Sequence, residues 1–215
     1  LTISELYEKY RVPWWIQEHM YRVASVAAVV FDGIPAPIAA SLDRKAVVSA
    51  ALLHDMGNIV KSNLERLAIV APEDRPRWQE VKDDMIARYG TDDEAATLVI
   101  LTEENVSAEV VRLVAGMDFL KSEAILESGD LPLMLAHYAD QRAAPKGIMS
   151  MHDRLADMLG RYVEKYKDVQ ESVERQKHAL DRMEALLFAG SSIRPEDITE
   201  ESTAPVRVAL ASFEI

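Results

Sequence analysis

Four side chains of metal-ligand type interrupt apolar helical stripes in this chain, and a fold that buries those stripes must also find partners for the four. Between residues 13 and 31 the apolar Ile16, Val23, Val26 and Val30 recur at helical spacing, and His19 falls on that stripe. In DRKAVVSAALLHDM, residues 43–56, His54 lies on the line through Val47 and Ala50, next to Asp55, and Gly57 supplies a helix stop. In LPLMLAHYADQR, Asp140 follows Leu133 and Ala136 on one helical face. An isolated buried carboxylate is costly, so Asp140 needs a partner. Two histidines and two aspartates satisfy one another when they converge on a divalent cation, which imidazole nitrogens and carboxylate oxygens ligate well.

The rest of the pattern is helical almost throughout, with no convincing alternating strand and no internal repeat, and all-α is the expected class. DGIPAPI reads as a loop closed by Ser41 or Asp43 as a helix cap. Expected helices are IVKSNLERL, residues 77–89 ending at Gly90, 92–101, 108–115 and 130–142. From Ser150 a long helical pattern runs to Phe188, with Asp153 placed to complete a capping box. Its charged second half keeps a thin stripe through Val169, Val173, Leu180, Met183 and Leu187, which either packs back on the domain or forms a homodimer through this C-terminal helix. APVRVALASFEI is ambiguous between helix and strand.

Composition narrows the functional classes. A formal net charge of −12 argues against a broad nucleic-acid surface, which relies on clustered Lys and Arg. Small phosphorylated metabolites need only a local positive pocket, which a metal and a few basic side chains supply. No apolar run approaches the roughly 20 residues of a membrane span, and no secretory signal is visible. Cysteine is absent, which suits a reducing cytoplasm.

The set His19 in EHMYRVA, His54-Asp55 in LLHDMGN and Asp140 in YADQR resembles the HD superfamily of metal-dependent phosphohydrolases, over roughly residues 14–162. It looks closest to a prokaryotic branch with HDxGN and a segment like YADQRAAPKGIMS. The resemblance implies an HD-domain helical bundle over residues 1–165 and a C-terminal helical extension over 166–215. It also implies one divalent metal ion (Mn, Fe, Co, Ni, Zn or Mg) held by His19, His54, Asp55 and Asp140, and hydrolysis of a nucleotide or small phosphomonoester by water acidified on that ion. Asp55 is the expected catalytic residue, because the neighbourhood of the dipeptide positions the attacking water in that superfamily. Members with two or three metals draw further histidines from between the His-Asp pair and the last aspartate. Residues 56–136 contain none, which favours a mononuclear site.

At Asn58 the chain departs from the pattern, since many members carry Lys there and nucleotidase-like members Glu. Asparagine can orient water or phosphate but cannot exchange a proton near pH 7. Glu65, Glu103 and Asp118 are the alternatives for a general acid; a non-catalytic metal or nucleotide-binding module working through a protein partner is the competing function. Arg22, Asn58, Arg142, Lys146 and His137 are the candidates for substrate binding, arginine being suited to bidentate phosphate contact. For Arg22 the alternative is a salt bridge to a ligand aspartate, and for His137 a core position. Arg44, Lys45 and Lys61 read as solvated helix charges, and His178 as exposed. Asp153 accounts for the second His-Asp dipeptide, His152-Asp153, as a cap. Trp14-Trp15 reads as a hydrophobic staple or as the wall of a base pocket.

Overall fold

The computed structural model describes residues 1–145, 147–161 and 170–215. Its α-helices are α1 (Ile3–Lys9), α2 (Trp14–Gly33), α3 (Ala36–Ala39), α4 (Arg44–Leu53), α5 (Arg75–Tyr89), α6 (Asp93–Glu103), α7 (Ala108–Gly116), α8 (Ser122–Ser128), α9 (Leu131–Asp140), α10 (Met151–Arg161), α11 (Gln170–Leu187) and α12 (Glu200–Leu210). One two-residue hairpin, Ala143–Ala144 with Gly147–Ile148, is the only sheet among the described residues. The architecture is an all-α bundle.

Three helices place the four side chains. The α2 helix is buried along Ile16, Met20, Val23, Ala27 and Val30 and packs on both α4 and α9, which also pack on each other. Asp43 caps α4, its carboxylate accepting from the Ala46 N–H at 3.0 Å, and every residue from Ala46 to Leu53 is buried. A helix enclosed on all sides in this way has no freedom to rotate, so the residue at its C-terminus has a fixed position. Asp130 caps α9 in the same manner, and the helix closes at Asp140.

The turn after α4 is fixed from outside. Gly57 donates its N–H to Thr97 Oγ1 at 2.9 Å, and a Cβ at this position would lie 2.7 Å from the Asp93 carbonyl oxygen and 2.9 Å from the Thr97 nitrogen. Gly57 therefore permits close approach to α6 rather than an unusual backbone angle, its φ being −90°.

Several expectations change. DGIPAPI is not wholly a loop: Pro35 opens the one-turn helix α3, its ring preset for that role. IVKSNLERL is not a helix beyond the 3-10 turn Asn58–Lys61, because Ser62 is extended and its carbonyl accepts from Lys82 Nζ at 2.7 Å. The helices α1 and α8 were not anticipated. Asp43, not Ser41, is the cap. APVRVALASFEI lies largely in a helix, α12, which Thr199 caps and which runs through Pro205.

Ser150 and Asp153 do bond at the start of α10 (Asp153 N–H to Ser150 Oγ, 3.1 Å). The stripe Val173, Leu180, Met183 and Leu187 is buried, and α11 packs on α8 and α9 while α12 packs on α2. Val169, the expected boundary at residues 165–166 and the continuity of α10 with α11 lie outside the described residues. No helix among the described residues is long and apolar enough to cross a membrane.

Candidate metal centre

His19, His54, Asp55 and Asp140 meet where α2, α4 and α9 converge. The two imidazole Nε2 atoms are 3.3 Å apart. Asp55 Oδ2 lies 3.7 Å from His19 Nε2 and 3.8 Å from His54 Nε2, and Asp140 Oδ1 lies 3.1 and 3.6 Å from the same two nitrogens. Donors bound at about 2.1 Å to one ion are about 3.0–3.5 Å apart at octahedral or tetrahedral angles. The observed spacings are close to those edges, and His19, His54 and Asp55 each offer a ligand atom within 4.8 Å of the others, a group that could hold a metal ion.

Hydrogen bonds beyond the cluster orient it. His54 Nδ1 lies 3.0 Å from the Ala51 carbonyl oxygen, to which it donates, leaving the Nε2 lone pair turned toward the other three groups. Gln141 Nε2 donates to Asp140 Oδ2 at 3.0 Å, which holds Oδ1 toward the histidines. The buried Tyr7 donates to the Leu52 carbonyl at 2.6 Å and braces the end of α4 from below. Tyr7 and Gln141 escaped the sequence reading; adjacency to Asp140 was the one available signal for Gln141, and Tyr7 comes from a distant helix. His19, Asp55 and Asp140 are each 21% exposed at the side chain, so the cluster opens to solvent on one side.

The family model for the HD domain matches residues 16–202, most of the chain. The chain belongs to the HD-domain family. No curated protein and no solved structure matches it. HD-domain proteins are a superfamily of the metal-dependent phosphohydrolase type and bind divalent metals. The His-Asp group of this chain has the donor chemistry for such an ion: nitrogen and carboxylate oxygen without thiolate.

The HD cluster is strongly polarised. Burial disfavours the His54 imidazolium, but the charge of Asp55 and the hydrogen bond and charge of Asp140 outweigh it, and the group is pushed up to about 9. Burial raises Asp55, yet the charges of His54, His19 and Lys61 bring it below the usual carboxylate range. Asp140 is opposed by burial in the same way and is held well below that range by hydrogen bonds from His19 and His54.

Without metal, the His54 proton stabilises the fold. Its folded value exceeds the unfolded value of about 6.5, so the contribution is complete below about pH 6.5 and is lost as pH rises through about 9. The depressed aspartates contribute in the opposite sense, above about pH 4, and lose their contribution as pH falls. A metal ion requires the neutral ring, so binding releases protons. The metal-free protein is expected to lose melting temperature between pH 7 and 10, and manganese to reduce that loss. Calorimetric titration near pH 7.5 in buffers of different ionisation enthalpy should show close to one proton released per ion; no release would refute this.

The remaining candidates separate. Arg142 is 3% exposed and is consumed inside the fold. Its Nε donates to the Met149 carbonyl at 2.5 Å, one terminal nitrogen to Tyr138 Oη at 2.5 Å, and the other to the Pro195 and Ile198 carbonyls at 3.1 and 3.2 Å. The expected substrate contact is thus corrected to a buried support.

His137 is corrected likewise. It is fully buried, its Nε2 is 2.8 Å from Ser122 Oγ, and burial pulls it down to about 4. The Ser122 hydroxyl donates to the Phe119 carbonyl at 2.7 Å, so Nε2 carries the proton that Ser122 accepts. It is a neutral core histidine.

Arg22 pairs with Glu200 at 2.8 Å and Glu18 at 3.5 Å, and neither is a member of the cluster. Lys146 lies outside the described residues. Asn58 opens the 3-10 turn three residues after Asp55. Of the general-acid candidates, Glu65 is exposed, Glu103 accepts from Tyr89 at 2.8 Å, and Asp118 caps the Phe119–Lys121 turn. Trp15 packs edge-on against Trp78 at 5.1 Å and against Trp14 at 5.9 Å. His152 pairs with Asp181 at 3.4 Å, and His178 is exposed as expected.

Proposed function

We propose that this HD-domain protein is a metal-dependent phosphohydrolase acting on a nucleotide or a small phosphomonoester. The observation that carries the reading is the convergence of four nitrogen and oxygen donors from three helices at coordination-like spacing, open to solvent on one side. His19, His54, Asp55 and Asp140 would hold one divalent ion, manganese, iron, cobalt, nickel, zinc or magnesium. Such an ion supplies Lewis acidity and an acidified water at near-neutral pH.

The chain's own groups do the rest. Asp55 stays anionic throughout the physiological range and accepts a hydrogen bond from the attacking water, orienting its lone pair toward phosphorus. Asn58, just beyond the dipeptide, offers an amide that can bind a phosphate oxygen or water but moves no proton.

Asn58 also favours a second reading, a metal or nucleotide-binding module that acts through a protein partner. One experiment separates the two. Phosphate release is measured from nucleoside mono-, di- and triphosphates and sugar phosphates, using protein stripped of metal and reloaded with each ion in turn. Metal-dependent release supports the hydrolase. Equilibrium binding of a nucleotide without consumption supports the module and ends the hydrolase reading.

A further inference from the structure

We propose that Trp15 is the surface on which the base of a nucleotide stacks while its phosphate sits at the His-Asp cluster, so that the substrate class is the nucleotide and not the simple phosphomonoester. The inference rests on the phosphohydrolase reading and narrows it.

The helix α2 carries the indole and the cluster on one line. Trp15, His19 and Arg22 recur at i, i+4 and i+7, a stripe on one face of the helix. All three are partly buried, between the enclosed Ile16, Met20 and Val23 on one side and the exposed Trp14 and Glu18 on the other. The stripe therefore runs along the edge at which the cluster opens to solvent, where the His19 side chain is 21% exposed. Four residues of helix advance about 6 Å along the axis. A helical side chain covers the turn before its own Cα, so His19 leans toward Trp15. The ribose of a nucleotide spans a gap of that order between phosphate and base.

The helix α5 fixes the indole from the other side. Trp15 meets Trp78 with ring centroids 5.1 Å apart and planes at 77°, and meets Trp14 at 5.9 Å and 87°. Trp78 is 8% exposed and has the Arg77 guanidinium 5.0 Å from its ring centre, so it is committed to packing, while Trp15 keeps open surface. In turn, α5 is braced on the segment after Asp55: it packs on the 3-10 turn Asn58–Lys61, and Lys82, one turn beyond Trp78, donates to the Ser62 carbonyl at 2.7 Å. The Trp15–Trp78 contact thus joins the helix that supplies His19 to the helix that supports the Asp55 segment. Two edge-to-face neighbours hold the Trp15 indole in one orientation before a ligand arrives, which lowers the cost of binding.

Stacking is the recognition such a surface performs. Every nucleobase has a π-face that an indole can cover, and the contact needs no cation, which fits a chain of formal net charge −12. A sugar phosphate has no aromatic ring and would leave the indole uncovered.

The test is calorimetric binding, to the manganese-loaded protein, of phosphonate analogues of adenosine 5′-monophosphate, cytidine 5′-monophosphate and ribose 5-phosphate, in which carbon replaces the ester oxygen and hydrolysis is blocked. The chain's three tryptophans are Trp14, Trp15 and Trp78, so its intrinsic tryptophan fluorescence reports this group alone. The nucleotide analogues should bind about tenfold or more tighter than the ribose analogue and should quench the emission, which the ribose analogue leaves unchanged. Trp15→Leu should weaken the nucleotide analogues by about tenfold or more, and Trp15→Phe by less than about threefold, with binding of the ribose analogue and of manganese unchanged in both. Equal affinity for ribose and nucleotide analogues in the wild type would overturn the proposal whether or not Trp15→Leu folds. So would wild-type nucleotide affinity in Trp15→Leu, or an equal weakening of all three analogues, since that is the mark of a purely structural tryptophan. Wild-type protein that binds manganese but none of the three analogues would refute the phosphohydrolase reading itself, and this proposal with it.

Discussion

Replacing Asp55 with alanine is expected to lower metal-dependent phosphate release by more than about a thousandfold while the helical fold persists, because several kcal/mol of transition-state stabilisation pass through the group it completes. Asp55 sits after the C-terminus of α4, in a turn whose position is set by Gly57 against α6 and not by the carboxylate. The side chain is therefore removable without dismantling a helix. Its loss also leaves His54 without one of the two charges that raise it. The metal-free variant should accordingly titrate His54 at lower pH than the wild type, which an NMR titration of the ring measures independently of activity. Phosphate release equal to wild type, from protein with one ion per chain, would remove Asp55 from the chemistry.

Replacing Arg142 with methionine is expected to destabilise the fold by about 3–5 kcal/mol, read as a lower urea midpoint. Three carbonyls, those of Met149, Pro195 and Ile198, depend on its guanidinium, and Tyr138 Oη, which itself donates to Glu184 at 2.7 Å, accepts from it as well. These bonds join the end of α9, the hairpin region and the segment before α12. Lysine should rescue only a fraction, because one ammonium cannot reproduce a planar fork that reaches three directions. A substrate contact would behave differently: the variant would fold normally and KM would rise. An unchanged urea midpoint would return Arg142 to the surface of the site.

Both predictions show which parts of this protein were legible in its sequence. Apolar periodicity placed α2, α4, α5, α6, α7 and α9 close to their observed bounds, since each buries one stripe or is enclosed entirely. The same periodicity put His19, His54 and Asp140 on inward faces, and the cost of burying polar groups alone required them to meet. The short α1 and α8 carry too few turns for a period to register, and the 3-10 turn after Asn58 is set by bonds to α5 and α6 that lie far along the chain.

The basic residues were the part that sequence could not assign. Arg22, Arg142 and Lys61 all stand near cluster residues in the chain, and periodicity gives a direction only about a helix's own axis. What each guanidinium or ammonium meets depends on elements that arrive from elsewhere: Glu200 on α12 for Arg22, the carbonyls before α12 for Arg142, and Asp93 on α6 for Lys61. The sequence by itself determined the helical class and the four donors, because both follow from local spacing and the expense of burying charge. The tertiary structure alone decided which partner each of these cations meets, because long side chains choose partners by distance in space.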